Sequence, residues 1–226
     1  MKLHVRVGSV LKELDAKFGE LGFVRQSAPQ QGHCYYRWVN EDIRESVGLD
    51  IRDIAGTVRL DTPHINLRFD GAENLVASFE QAHPILPITA EDIAARSTIG
   101  LYPEPDTVVG TFFRKTWDIW TVDDIQSTTT DFVKHVMNKA MPFWHRYSDP
   151  EETLNLLLRD DEEARVLAGP DHFRAERAVG MTFLLRGIEQ AQEVAEAKVP
   201  KIRHAAYRQE FLGWKARFFE KPRVVG

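Results

Sequence analysis

The sequence predicts an α+β fold, in which an N-terminal helix lies on a small antiparallel sheet and a mostly helical C-terminal half follows. The first observation is that the apolar spacing changes from a period of two to a period of about 3.6 after Trp120. The second is composition: 43% of the 226 residues are apolar and 28% are charged, as in globular proteins. The change of period also predicts two regions, an α+β domain over residues 1–120 and a helical region over residues 121–226 that packs on it.

The predicted N-terminal helix carries one apolar stripe with positions three or four residues apart. The stripe consists of Val7, Leu11, Leu14, Phe18 and Leu21. A glycine commonly ends a helix because it adopts the left-handed conformation without strain. Gly22 is therefore expected to end this one.

Short alternating segments follow at residues 35–39, 47–52, 58–60 and 65–69, with a polar turn at 26–32. Alternating strands that are joined by tight turns predict an antiparallel meander with one covered face. Residues 74–82 are predicted to form a second covering helix, and residues 83–109 to be mostly irregular.

The clearest signals for the starts and ends of helices lie between Trp117 and Leu158. A strand is predicted around Trp117, and a helix capped by Thr121 follows until Pro142 ends or kinks it. The next helix has a cap at Asp149 and a proline at its first position. Two interpretations of the PFWHRY segment are open: an aromatic binding platform with His145 as a titrating group, or a packing joint, which we favour because buried aromatic residues most often serve packing.

The sequence PFWHRYSDPEETLNLLL in this stretch, together with the helix that ends in Leu21-Gly22-Phe23, resembles a group of bacterial domains of unknown function. The resemblance implies an α+β fold and brings no active-site residues with it. Some such domains are suspected to accompany bacterial toxin systems, which implies an immunity-type inhibitor.

Two further helices are predicted in the C-terminal half. The first begins at Gly169-Pro170-Asp171 and continues to Pro200, and the second is basic and ends the chain. Their predicted buried stripes consist of Leu184, Ile188, Ala191 and Ala195 in the first helix, and Ala205, Leu212, Ala216 and Phe219 in the second.

The composition predicts a cytoplasmic protein. Cys34 is the single cysteine, so no internal disulfide can form, and we expect neither a secretory signal nor a membrane span.

The sequence offers no catalytic or metal-binding constellation, and we predict no cofactor. The nearest approach to a metal or thiol site is His33-Cys34, which we assign to the start of a strand. Carboxylates at Asp118, Asp123 and Asp124 flank a strand-to-helix junction, where helix capping explains them. An enzyme of unrecognised type, with a site in residues 83–120, remains an alternative.

Charge is distributed unevenly along the chain, whose net charge is −5. From Lys198 onward eight Lys or Arg stand against two Glu, whereas residues 149–163 hold seven acids against Arg159. We therefore predict a non-enzymatic protein-binding module whose basic partner meets an acidic surface. The predicted binding residues are Asp160, Asp161, Glu162 and Glu163.

Two alternatives to this surface stay open. The acidic residues could merely cap a helix and keep a loop soluble. The basic last helix, with Tyr207, Trp214 and Phe218 interleaved, could bind nucleic acid weakly, although the acidic charge of the whole chain argues against it.

Overall fold

The structure is a computed structural model that describes residues 3–28, 32–54, 56–61, 63–80, 96–101 and 117–220. It confirms the predicted fold class, with an N-terminal helix, antiparallel sheet strands and a helical C-terminal half. The strands are β1 (Val24–Ala28), β2 (Gly32–Trp38), β3 (Ile43–Leu49), β4 (Ile51–Ile54), β5 (Thr57–Leu60), β6 (His64–Phe69), β7 (Ile99–Leu101) and β8 (Trp117–Ile119). The described helices are α1 (Leu3–Glu20), α2 (Asp70–Ala77), α3 (Asp124–Tyr147), α4 (Pro150–Leu158), α5 (Glu162–Ala168), α6 (Asp171–Arg186), α7 (Ile188–Lys198), a 3-10 turn (Val199–Lys201) and α8 (Ala205–Glu220).

The chain forms two compact units, each of which is built from two separate segments. Unit 1 comprises residues 1–66 and 100–145, and unit 2 comprises residues 67–99 and 146–226. The chain therefore passes from one unit to the other within β6, within β7 and near the end of α3. The domain boundary at residue 120 stays a prediction.

In unit 1, helix α1 packs on the sheet through the middle of the predicted stripe. Val10, which the prediction omits, is buried, whereas Leu21 at the end of the stripe is exposed. Leu14 and Phe18 are buried, and the Phe18 ring stacks on that of Tyr35 with 4.4 Å between the ring centres. The Tyr35 hydroxyl donates to Asp15 of the same helix at 2.9 Å. Gly22 follows the helix with φ of +81°, as the sequence predicts.

The larger sheet has the strand order β1-β2-β3-β6-β7, and β1, β2 and β3 pair antiparallel. Strand β1 corrects the predicted polar turn at residues 26–32. Its sequence, Val-Arg-Gln-Ser-Ala, has no alternation of apolar residues. It forms because the edge of a sheet supplies backbone hydrogen bonds whatever the side chains are.

A second sheet contains β4, β5 and β8 in that order, all antiparallel. The sequence predicts that the strands between residues 35 and 69 form one meander. The structure instead places β4 and β5 in this second sheet and β2, β3 and β6 in the larger one. Across β5 and β8 the Arg59 guanidinium donates to both oxygens of Asp118, at 2.6 and 3.1 Å.

Helix α3 runs through Pro142, where the sequence predicts an end or a kink. The PFWHRY segment is consequently helical instead of forming a joint between two helices. Trp144 is buried, and its indole nitrogen donates to the Asn66 carbonyl at 3.0 Å. Phe143 and Tyr147 are also buried, whereas His145 is exposed. The aromatic residues thus serve packing.

In unit 2 the single helix that the sequence predicts from residue 171 to Pro200 is two helices, α6 and α7. Gly187 separates them with φ of +88°, a conformation that ends a helix and that other residues adopt with strain. The break also changes the predicted stripe. Ala191 and Ala195 are buried, but Leu184 and Ile188 are exposed.

The core of unit 2 joins α2, α6, α7 and α8. Helix α2 begins at Asp70 and ends at Ala77, earlier than predicted, with Asp70 and Glu73 in its first turn. Helix α8 contributes a different face from the predicted one. The members of this core are Val76, Ala175, Val179, Ala191, Ala195, Ile202, Phe211, Trp214 and Phe218.

Candidate functional site

The predicted binding residues lie between α4 and the first turn of α5, and the first of them is held inside unit 2. Asp160 accepts a hydrogen bond from Lys198 at 2.9 Å and one from Arg174 at 3.2 Å. The two cationic side chains are 5% and 1% exposed. Buried cations need a paired anion, so Asp160 is required by the fold.

The protonation of Asp160 follows from these contacts. Burial acts to raise the pKa of its carboxyl, but the hydrogen bonds and charges of Lys198 and Arg174 outweigh burial and hold the pKa below its ordinary value. Lys198 also donates to the Leu158 carbonyl at 2.8 Å, at the end of α4. Asp160 is therefore an ionised part of a closed ion network.

Two more of the predicted residues have partners on neighbouring elements. Asp161 caps α5 by accepting the Ala164 backbone N–H at 2.9 Å and pairs with Arg159 at 2.6 Å. Glu163 accepts hydrogen bonds from Arg159 at 2.6 Å and from the Tyr147 hydroxyl at 3.0 Å. The bond from Arg159, followed by the one from Tyr147, keeps the pKa of Glu163 below its ordinary value. Much of the predicted negative field is thus neutralised locally.

Exposed carboxylates remain in the same acidic segment. Glu152 in α4 and Glu162 in α5 are exposed, and within the described part of the chain neither forms an ion pair. The N-terminus of α4 is capped by Asp149, whose carboxylate accepts the Glu151 N–H at 2.9 Å. Glu151 in turn pairs with Arg186, at 2.5 Å, and this contact places the start of α4 beside the end of α6.

An exposed apolar group lies at this same end of α6, and sequence reasoning did not find it. Leu184, Leu185 and Ile188 are 51%, 41% and 42% exposed. They surround the turn at Gly187, and Glu189 follows as an exposed acid. The signal in the sequence was Gly187 itself, because a glycine in a helical pattern can end the helix and release its stripe from the core.

The three carboxylates near the strand-to-helix junction do not converge. Asp118 pairs with Arg59, and Asp124 accepts hydrogen bonds from the Thr121 backbone N–H and hydroxyl, at 2.7 and 2.8 Å. These bonds lower the pKa of Asp124. Asp123 is exposed. The predicted capping role is confirmed for Asp124, whereas Asp118 instead pairs across the strands.

The remaining candidates from the sequence are the Cys34 thiol, a metal site, a membrane span and the alternative enzyme site. Burial raises the pKa of the Cys34 thiol, which disfavours the reactive thiolate. Among the described residues, no group of three or more His, Cys, Asp or Glu could hold a metal ion. Within the described ranges no helix has both the length and the apolar character that crossing a bilayer requires. Of the alternative enzyme site in 83–120, residues 83–95 and 102–116 lie outside the described residues.

The last helix presents fewer aromatic rings than the sequence suggests. Trp214 and Phe218 are buried, and the Trp214 indole nitrogen donates to the Val76 carbonyl at 3.1 Å. Neither ring is available for stacking on a base. Tyr207, near the start of α8, is exposed.

Comparison of the chain with protein-family models, with curated proteins and with solved structures gives no match.

Proposed function

We propose that the chain is a non-enzymatic protein-binding module and that its partner is a basic protein. The proposed docking surface consists of the exposed apolar residues at the α6–α7 turn and the acidic residues beside them. Its members are Glu151, Glu152, Leu184, Leu185, Ile188 and Glu189.

The observation that carries the proposal is the exposure of three large aliphatic side chains within five residues. Leu184, Leu185 and Ile188 each leave at least 41% of their surface in water. Scattered exposed leucines need no explanation, but a contiguous apolar group with a polar rim is typical of protein–protein interfaces. The apolar group would become the dry centre of such an interface.

Charge selects the kind of partner. The docking surface has three carboxylates, and Arg186 neutralises only the one on Glu151. A basic partner would be attracted from a distance and oriented by this rim, and its association rate would fall as salt screens the charges. Glu162 extends the negative field from α5, and it is the predicted binding residue that remains open to a partner.

The narrower form of the proposal is an immunity-type inhibitor of a bacterial toxin, and its support is the sequence resemblance. Toxic nucleases that bind phosphates are basic, so an acidic inhibitor suits them. Co-expression with a candidate toxin would test this form, because an inhibitor restores growth and its surface variants do not.

The experiment is capture of the partner from the native host by the purified chain, followed by measurement of association at low and high salt. We expect a basic protein, whose affinity Leu185→Asp weakens by about tenfold or more because it places a charge at the centre of the interface. We expect Glu152→Lys to slow association mainly at low salt.

Matched control variants are available within the chain. Val166→Asp makes the same kind of change at an exposed aliphatic residue of α5, and Glu20→Lys reverses an exposed charge at the end of α1. Both controls should bind as the unchanged chain does. If Leu185→Asp and Glu152→Lys bind as well as their controls, the docking surface is not where the partner sits.

A further inference from the structure

A second feature of unit 2 is a cavity of about 440 Å³ between the start of α6 and the start of α8, which we call the basic cavity. This volume lies within the range of small-molecule binding sites. The residues that line it are Arg165, Gly169, Pro170, Asp171, Ile202, Arg203, His204 and Tyr207.

Two guanidinium groups give the basic cavity its charge. The Nε atom of Arg165 is buried and has no hydrogen-bond partner among the described residues, and the nearest carboxylate oxygen, on Asp171, is 3.9 Å away. Arg203 is exposed and forms no ion pair or hydrogen bond with another described residue. Because the Arg165 side chain as a whole is 38% exposed and lines the cavity, a ligand would meet it through atoms other than the buried Nε.

The first turn of α6 faces the same space. This helix has 16 residues, and its N-cap, Pro170, offers no side chain to accept the first backbone N–H groups. A helix N-terminus of this kind attracts anions through those N–H groups and through its dipole. Asp171 is the one carboxylate in the lining, and Arg174 binds it at 2.8 Å, so its charge is already compensated.

Aromatic rings form a row along one wall. The Tyr207 ring stacks on buried His172, with 4.2 Å between ring centres and 19° between planes, and lies 4.8 Å from the His204 ring. Both Tyr207 and His204 are exposed. A planar ligand ring could continue this row, because aromatic rings prefer offset stacking at such distances.

We propose that the basic cavity binds a small phosphorylated molecule that carries a flat aromatic ring, with the chemistry of a mononucleotide. Arg165, Arg203 and the first turn of α6 would hold the phosphate, since guanidinium groups match its oxygens in pairs. The row of rings at Tyr207 and His204 would hold the planar group. This site is separate from the proposed docking surface and goes beyond the proposed function.

The test is calorimetric titration of the whole chain with adenosine monophosphate, adenosine and inorganic phosphate. We expect the monophosphate to bind more tightly than either fragment. Arg203→Ala should weaken the monophosphate by about tenfold, the usual effect of losing one charge-assisted contact. His204→Ala should weaken the monophosphate and leave phosphate unchanged, because this ring contacts only the planar group.

The matched control is Lys201→Ala, which removes an exposed positive charge two residues from Arg203 and outside the lining. It should leave binding unchanged. Equal losses in Lys201→Ala and Arg203→Ala would mean a diffuse attraction and would overturn the proposal, as would failure of the monophosphate to bind. Tighter binding of single-stranded oligonucleotides, with the same loss in both variants, would overturn it in favour of a polymer track.

Arg203 and His204 are exposed, so their variants are expected to fold, and thermal unfolding of each variant checks this. Arg165→Ala provides a second measurement on the phosphate side. Because none of these residues belongs to the docking surface, loss of the monophosphate site would leave partner binding intact, and the two proposals fail separately.

Discussion

At the scale of single residues, Asp160 has the largest expected effect on stability. Asp160→Asn would remove the carboxylate that pairs with buried Lys198 and one of the two that pair with buried Arg174, which keeps Asp171 at 2.8 Å. We expect the free energy of unfolding to fall by about 2–3 kcal/mol, toward the lower end for breaking a buried ion pair, because Asp160 is 31% exposed. Urea denaturation measures this change.

Glu162→Gln is the control, since Glu162 is an exposed neighbour in the same acidic run. Its effect should stay within about 0.5 kcal/mol, as for other surface substitutions. Equal midpoints for the two variants would show that the ion network contributes nothing. A loss at Asp160 alone would mean that charge reversal there also destabilises the fold, so docking should be tested at Glu152 and Glu162.

Glu176 gives the fold a dependence on pH. Burial, followed by the nearby negative charge of Glu80, raises its pKa to about 8, while Arg177 and Arg96 act in the opposite direction. An unfolded glutamate has a pKa near 4.3, so between these two values the folded state holds a proton that the unfolded state lacks. Stability therefore falls as pH rises through this interval, by at most about 1.4 kcal/mol per pH unit.

Glu176→Gln should remove this dependence, because glutamine keeps the shape of the protonated acid. We expect the variant to match the unchanged chain below about pH 4, where the unfolded glutamate is also protonated, and to become progressively more stable than it as pH rises toward 8. Denaturation at a series of pH values measures the difference in free energy of unfolding between the variant and the unchanged chain. The contributions of other titrating groups cancel in this difference. A difference that does not change with pH would contradict the raised pKa.

At the scale of elements, the contact between α2 and α6 depends on Gly180. A Cβ atom at this position would lie 2.9 Å from a methyl carbon of Val76. We expect Gly180→Ala to lower the free energy of unfolding by about 1–2 kcal/mol, since overpacking outweighs the gain of up to about 1 kcal/mol in helix propensity.

The double variant separates these two effects. In a Val76→Ala background the clashing methyl is gone, so Gly180→Ala should become neutral or stabilising. Denaturation of the four chains measures the coupling between the two positions. The same loss in both backgrounds would place the cost elsewhere than in this contact.

Elements could be predicted from the sequence where a local signal decides them. The cap at Asp149 and the glycine at Gly22 lie where the sequence places them. Strand β1 could not be found, because an edge strand is formed by its neighbour's backbone and its own side chains show no pattern. Pro142 illustrates the opposite limit: its local signal predicts an end or a kink, and the burial of Phe143 and Trp144 keeps the helix from ending there.

The candidate site was harder to predict than the fold. The sequence shows which residues are acidic, but Asp160 pairs with Lys198, 38 residues away, and Glu163 pairs with Arg146, 17 residues away, as well as with nearby Arg159. The exposure of Leu184 and Ile188 depends on the direction the chain takes after Gly187, which spacing alone does not give. Both failures concern tertiary contacts.

At the scale of the whole molecule, much of the basic C-terminal stretch, as far as residue 220, is used for internal contacts. Lys198 serves the ion network, Arg208 donates to the Ile202 carbonyl at 2.7 Å, and Arg217 donates to the Phe79 carbonyl at 2.7 Å. The uneven charge of the sequence therefore holds unit 2 together. Basic residues that are engaged in internal contacts offer less charge to a nucleic acid along α8.

Removal of α8 should consequently unfold much of unit 2. A chain that ends at His204 lacks Phe211, Trp214 and Phe218, each of which is nearly or fully buried. We expect the amide hydrogens of α6 and α7 to lose their protection from exchange, since their apolar faces become exposed to water. Unchanged protection in both helices would show that α8 is dispensable for this core.

The interleaved order of the two units has a consequence for synthesis of the chain. The first segment of unit 2 ends at residue 99, and the aromatic residues of α8 that cover Val76 are translated about 120 residues later. At roughly 5–20 residues per second, this delay is on the order of 6–24 s. During that time the apolar face of α2, which includes Val76, lacks the residues that cover it in the folded chain. A chaperone that binds nascent chains would find its target in α2, and slow codons after residue 99 would lengthen the interval in which this helix can aggregate.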